Sequence, residues 1–275
     1  MSEQPEVPQR IKSFSDFSLG MLLSVYGPTF HTICPQSYTL REMDPACDQP
    51  EYRHYFCGPH DVPGAFCPNC QKPLLQMLAI DTQDSRLGLT YCPFPSLTLF
   101  LCMTCEILNG VFYYQIHAPY GSITLLDYKK GKLEPDEIPF YPEPYPRYFP
   151  GIPVQLFLLP QEQQWYIIEG QRLAEEYTSD IYTYDVEKRE RFAEEINAFH
   201  EQYFRLKIDA HQIGGFPKLT QGWNSHMCPV CNQEMTFLAA IDDTNTDPRG
   251  FVGTVGQFLF TWCPRCFVVE GVCLE

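Results

Sequence analysis

The chain has 275 residues, with 34 acidic against 19 basic side chains and a formal charge of −15. Apolar residues make up 44%, which supports a folded core and excludes a disordered chain. So large an acidic excess repels phosphate backbones and anionic lipid, excluding general nucleic-acid binding and peripheral membrane attachment, and it suits a basic protein partner.

Residues 1–60 form an N-terminal segment without a clean period. It holds an apolar run, Gly20–Tyr26, among turn signals such as Gly27-Pro28 and Asp44-Pro45. No basic region followed by an apolar stretch opens it, so no secretory signal is read and a cytoplasmic protein is expected. Residues 61–133 are the first of two repeats. Leu74–Ile80 reads as a short apolar strand, Leu97, Leu99 and Leu101 alternate with Thr98 and Phe100, and Gly110–His117 and Ser122–Tyr128 read as further strands. The most apolar stretch, Ser96–Tyr114, has Glu106 as its one charge, but Cys102, Cys105, Asn109 and Gly110 predict a turn between strands rather than a membrane span.

Residues 134–160 contain eight prolines and are predicted to be an extended connection, because proline has no N–H for helix or sheet. Residues 161–208 are the predicted helical segment. Phe192, Ile196, Phe199 and Tyr203 fall on one face of a helix over Asp185–Lys207. From Glu169 to Glu201 there are ten acidic and four basic residues, either a solvated face or a docking surface for a basic partner. Residues 209–275 are the second repeat, opening on Ile213-Gly214-Gly215-Phe216-Pro217, with Phe258 and Phe260 alternating toward Trp262. The expected class is α+β and strand-rich: two β-rich repeats with helices between them, forming one pseudo-symmetric body.

Eight of the 13 cysteines form four CxxC pairs: Cys67–Cys70, Cys102–Cys105, Cys228–Cys231 and Cys263–Cys266. An offset of 161 superimposes the first two pairs on the last two. It also aligns Ala79-Ile80-Asp81 with Ala240-Ile241-Asp242 and Gly110-Val111 with Gly271-Val272. This is a gapless internal duplication of about 48 residues. In a reducing compartment such clusters point to metal or catalysis rather than disulfides. A tetrahedral zinc ion takes four thiolates, two from each CxxC knuckle. The predicted sites are Cys67, Cys70, Cys102 and Cys105, and Cys228, Cys231, Cys263 and Cys266, each filled by a structural zinc ion with no open position. Two features depart from common zinc ribbons. The knuckles are 31 residues apart, and the positions after each second cysteine, where φ is often positive, are Gln71, Glu106, Asn232 and Phe267 rather than glycine. Thiol–disulfide chemistry is the rival reading.

The run IGGFPKLTQ, then CPVC, MTFLAAID and FLFTWCPRC, resembles the YwqG-like family of bacterial proteins. The layout is also similar to that of programmed-cell-death-2-like zinc proteins, which combine a Gly-Gly-x-Pro segment with CxxC knuckles. The resemblance covers 209–275 best and 61–118 more weakly; the first repeat lacks Gly-Gly-x-Pro, although Gly58-Pro59 and Pro63-Gly64 lie nearby. Resemblance to the first family implies a duplicated, strand-rich α+β fold without established enzyme activity, some members being candidate immunity proteins. Resemblance to the second implies a chaperone that shields a basic ribosomal protein.

Other residues have plainer readings. His226, two residues before Cys228, is a packed or surface histidine, with a ligand or supporting role as the sharper alternative. Cys57-Gly58-Pro59-His60 lacks a second knuckle, and Cys34, Cys47, Cys92 and Cys273 read as buried apolar side chains. Asp81 and Asp242 end equivalent strands and read as turn formers, with paired acid–base work as the alternative. No G-x-S-x-G, Walker, HExxH or dinucleotide motif occurs. The sequence therefore predicts a non-enzymatic, zinc-stabilised protein-binding protein, an immunity or adaptor protein for a basic partner. Alternatives are a chaperone of a basic ribosomal protein and a thiol-redox enzyme using its CxxC pairs.

Overall fold

Short apolar or aromatic runs make strands, and among the described residues eleven of them form one antiparallel sheet. The computed structural model describes residues 32–34, 36–43, 51–102, 112–128, 146–169, 186, 187, 190, 194, 211–217, 226–242 and 257–274. The chain divides into two compact units, Met1–His31 with Pro160–Lys207, and Thr32–Leu159 with Ile208–Glu275. In the first, residues 161–169 are helical, and Gln164 N–H donates to Pro160 O at 3.0 Å to close the opening turn. Trp165, Ile167 and Ile168 are buried.

The second unit holds the sheet. Its strands are β1 (Tyr38–Glu42), β2 (His54–Phe56), β3 (Leu75–Asp81), β4 (Ser96–Leu101), β5 (Phe112–His117), β6 (Ser122–Tyr128), β7 (Ile152–Leu158), β8 (Gln212–Ile213), β9 (Thr236–Asp242), β10 (Gln257–Cys263) and β11 (Val268–Leu274). Their order is β4-β3-β2-β7-β1-β8-β9-β10-β11-β5-β6. The expectation of an α+β fold with helices between the repeats is overturned: the fold is mostly β, and both repeats contribute strands to a single sheet. Among the described residues, helix is confined to 161–169, positions 186, 187, 190 and 194, and a 3-10 turn at Ser85–Leu87. The predicted helix over Asp185–Lys207 otherwise lies outside the described residues.

The duplication persists in the hydrogen-bond register. Adding 161 to each pair of the β3–β4 ladder gives the β9–β10 ladder, from Leu75↔Leu101 and Thr236↔Trp262 to Asp81↔Ser96 and Asp242↔Gln257. The bulges coincide too, leaving Met77 and Leu238 as the extra residues. Each bulge residue turns its carbonyl to the next strand's end: Cys57 N–H donates to Met77 O at 2.9 Å and Gly214 N–H to Leu238 O at 3.0 Å.

This match extends the repeat beyond what the sequence alignment shows. β2 pairs with β3 through Tyr55↔Ala79 and Phe56↔Leu78, and β8 pairs with β9 through Gln212↔Ala240 and Ile213↔Ala239. Two consecutive positive-φ residues then follow in each half, Cys57 and Gly58 in one, Gly214 and Gly215 in the other. Cys57-Gly58 thus takes the place of the Gly-Gly pair that the first repeat lacks. The offset here is 157, so a four-residue difference hides the equivalence. Outward from the central β1–β7 ladder, the halves β7-β2-β3-β4 and β1-β8-β9-β10 follow the same scheme, which places a pseudo-two-fold axis at that ladder.

At Gly215 the positive φ (61°) and the surroundings both demand glycine, because an added Cβ would collide with Ser37 Oγ and lie 2.6 Å from Ser37 N. We expect Gly215→Ala to lower stability by about 2 kcal/mol or more. A urea midpoint equal to that of the parent protein would contradict this.

The proline-rich segment departs from its prediction as an extended connection, since Ile152–Leu158 is β7, an interior strand that contains Pro153. In an antiparallel strand a residue's N–H and C=O face the same neighbour. Pro153 O accepts from Met43 N–H at 3.1 Å, so its missing N–H would face β1, just past the last ladder pair, Glu42↔Val154. On the β2 side Pro153 stands opposite Tyr55 and owes no hydrogen bond.

The sheet curls, and its edge strand β4 is covered from within. Tyr114 Oη accepts from Phe100 N–H at 3.1 Å and donates to Thr98 O at 3.0 Å, supplying the donor and acceptor a neighbouring strand would give. Leu101 of β4 lies so close to β11 that a Cβ at Gly271 would sit 3.1 Å from its Cδ2. Buried Phe100, Phe112, Tyr114, Phe258, Phe260 and Trp262 fill the space inside.

Candidate metal centre

Three of the cysteine knuckles are closed by backbone hydrogen bonds. In the first repeat Cys67 N–H donates to Lys72 O at 2.8 Å and Gln71 N–H to Cys67 O at 2.9 Å. In the second, Cys228 N–H donates to Gln233 O at 2.8 Å and Asn232 N–H to Cys228 O at 2.9 Å. The reversal requires a left-handed residue after the second cysteine, and Gln71 (60°), Asn232 (53°) and Phe267 (55°) adopt positive φ there without being glycine. Glu106, the fourth such position, lies outside the described residues.

The knuckles bring the thiols together. In the second repeat the sulfurs of Cys228, Cys231, Cys263 and Cys266 all lie within 4.8 Å of one another, with Cys231 Sγ to Cys263 Sγ at 3.6 Å. In the first, Cys67, Cys70 and Cys102 meet the same limit, with Cys70 Sγ to Cys102 Sγ at 3.8 Å. Cys105, the predicted fourth ligand, lies outside the described residues. A tetrahedron with metal–sulfur bonds of about 2.3 Å has edges of about 3.8 Å, so these separations fit a shared cation and far exceed a disulfide bond.

The electrostatics agree with that fit. The hydrogen bond with Cys102, aided by the backbone N–H groups of Cys70 and Asn69, draws the Cys67 thiol down to about 5. Burial pushes Cys263 up to about 12, although the N–H groups of Cys266 and Arg265 point at its sulfur. Burial likewise pushes Cys266 up to about 11. Thiols this crowded cannot all ionise beside one another, whereas a bound dication favours the thiolate form of every one. A site closed by four thiolates leaves no position for a substrate or a reactive water.

The two groups have different surroundings. Cys67 and Cys102 belong to the main core. Cys228 and Cys263 form a separate cluster with Met235, Val268 and Tyr113, against which Leu126, Cys231 and Cys266 pack. The chain matches no protein-family model and no curated protein sequence.

The remaining described candidates resolve as packing or turn residues, while Cys47 and the Cys273 side chain lie outside the described residues. His226 is outside the thiol group and bonds through Nδ1 to Glu270 Oε1 at 2.5 Å, a bond that holds its pKa above the usual value. Glu270 is fully buried and accepts from Thr261 Oγ1 at 2.7 Å. Asp81 is a turn former, accepting from Arg53 N–H and Gln83 N–H, each at 2.9 Å. The Asp242 side chain lies outside the described residues. His60 Nε2 donates to Leu74 O at 2.7 Å, since Nδ1 receives Val62 N–H. Cys34, Cys57 and Cys92 are buried outside both groups.

Sequence reasoning missed one buried polar cluster. His54 Nδ1 accepts from Asp81 N–H, leaving its Nε2–H to donate to Asp84 Oδ2 at 3.0 Å. Arg86 grips the same carboxylate at 2.6 Å, reaches Leu156 O at 3.2 Å, and lies over the rings of Tyr38 and Tyr52. The available signal was Asp84 two residues before an arginine in a loop, which is too common to single out.

Proposed function

We propose that the protein is a zinc-stabilised binding protein in which the two cysteine groups hold structural zinc and the acidic surface engages a basic protein partner. The carrying observation is the group Cys228, Cys231, Cys263 and Cys266: four mutually close thiols on two knuckles satisfy one tetrahedral ion and present nothing to a substrate. Zinc is the ion of choice because all-thiolate tetrahedral sites select it among common divalent cations. The charge of −15 supports a basic partner through electrostatic steering. In our reading the partner is one the protein neutralises or shelters, as expected of an immunity or adaptor protein. Sheltering of a basic ribosomal protein is the variant of this reading.

The acidic 169–201 segment is the proposed contact surface. Of its described residues, Glu187, Glu190 and Glu194 are exposed. Combined reversal, Glu187→Lys, Glu190→Lys and Glu194→Lys, is expected to reduce recovery of a co-purifying basic partner by about tenfold. Unchanged recovery would remove the contact from this segment, and the mass of the captured protein separates a toxin from a ribosomal protein. The thiol-redox alternative has less support. Cys67, drawn down to about 5, has no exposed surface for a substrate disulfide to reach. Cys231, drawn down to about 7 and partly exposed, sits among three other thiols in the arrangement of a four-ligand site rather than beside one resolving cysteine.

A further inference from the structure

We propose that the second cysteine site is a clasp: metal bound there holds the β5–β6 hairpin of the first repeat onto the second repeat. This inference rests on the metal reading above. Among the described residues the β11–β5 ladder runs from Gly271↔Phe112 to Val268↔Gln115. Beyond its end the contact continues onto the knuckle itself. Ile116 N–H donates to Phe267 O at 2.8 Å, and Gln115 Nε2 donates to Cys266 O at 2.9 Å. Both acceptors belong to the reversal closed by Phe267 N–H to Cys263 O at 2.9 Å, with Phe267 at φ 55°.

The side chains follow the same route. Tyr113 of β5 is buried among Cys228, Cys263, Met235 and Val268, and Leu126 of β6 packs against that cluster. The Tyr113 hydroxyl also faces Glu270 of β11. The hairpin therefore rests on the ligand-bearing cluster and on two knuckle carbonyls. Without a cation the four crowded thiols lose what holds them together, and the orientation of the Cys266 and Phe267 carbonyls goes with it. The hairpin's tethers to the first repeat, Ile123 N–H to Pro63 O at 2.9 Å and Tyr114 Oη to Phe100 N–H and Thr98 O, do not depend on the second site. Loss of metal from that site would thus open the seam between the repeats while the central β1–β7 ladder stays closed.

The test is amide hydrogen exchange on the full-length protein, read by mass spectrometry beside its zinc content. Cys231→Ser disables the second site from the knuckle that makes neither hydrogen bond. It should lose one zinc per chain and accelerate exchange over 112–117 by about tenfold, with Tyr38–Glu42 and Ile152–Leu158 unchanged. Gln115→Ala removes a hydrogen bond to the Cys266 backbone carbonyl and leaves all four thiols in place; it should keep both zinc ions and still accelerate exchange over 112–117. Zinc loss in Cys231→Ser with unchanged exchange over 112–117, or acceleration spread equally over the central strands, would overturn the clasp. So would Gln115→Ala exchanging like the parent protein. Absence of zinc from the parent protein would overturn the metal reading and the clasp with it, whereas zinc present without the exchange change overturns the clasp alone.

Discussion

Treatment with a strong zinc chelator is expected to abolish the cooperative thermal transition of this protein. A structural four-thiolate site contributes on the order of 10 kcal/mol of apparent folding free energy, comparable to the whole net stability of an ordinary domain. Cys67 and Cys102 lie in the main core with no exposed surface, so the first site cannot empty without leaving ionisable thiols buried in apolar surroundings. Each group pairs buried cysteines with partly exposed ones, Cys70 in the first and Cys231 and Cys266 in the second. The second group, however, belongs to a small separate cluster at the seam rather than to the main core, so a metal ion there would be the more easily removed. Loss should therefore be stepwise, the second zinc leaving first and the main transition collapsing with the other. Metal content followed beside circular dichroism checks this, and a cooperative melt indifferent to chelator would remove zinc from the account of stability.

The second large effect lies far from the cysteines. Asp84→Ala is expected to destabilise the protein by about 3 kcal/mol, read as a shift in the denaturant midpoint. The carboxylate is fully buried, accepts from His54 and Arg86, and caps the 3-10 turn through Arg86 N–H at 3.0 Å. Its removal leaves His54 Nε2–H buried without its acceptor and frees a guanidinium that now ties the β3–β4 loop to Leu156 of β7. The pH dependence has a definite sign. Burial by itself would raise the Asp84 pKa, but the hydrogen bonds from His54 and Arg86 prevail and hold it well below the usual carboxylate value of 3.8. A carboxylate with a depressed folded pKa stabilises the fold above its unfolded pKa, and that contribution is lost as pH falls toward the folded value. The parent protein should therefore lose stability below about pH 4. Asp84→Ala should lose less over the same interval; equal acid sensitivity would assign the effect to other carboxylates.

Local patterns in the chain anticipated much of the architecture. Alternation at Leu97, Leu99 and Leu101 marked β4, and Ser122–Tyr128, read as a further strand, is β6. The repeat of 161 survives into the register because both hairpins carry the same apolar positions and the same bulge. The residues after the second cysteines departed from the glycine common in such knuckles, yet Gln71, Asn232 and Phe267 take positive φ there all the same, because the reversal of the chain demands it. The helical expectation failed as a statement about the fold because an apolar period of 3.6 marks an amphipathic face and not the share of the molecule that is helical. Proline density misled at β7 because the cost of a missing N–H depends on which neighbour that N–H would have faced.

By itself, then, the sequence determined the cysteine pairs, the duplication and the strands that carry them, all properties of residues close together in the chain. The Cys57-Gly58 pair standing in for Gly214-Gly215, the binding of Asp84 by His54 and Arg86, and the hairpin laid across the second knuckle were decided only by tertiary structure. These depend on strand order and register, which bring together groups as distant as Gln115 and Cys266, and no local pattern encodes the partner that a hydrogen-bonding side chain meets after the sheet has closed.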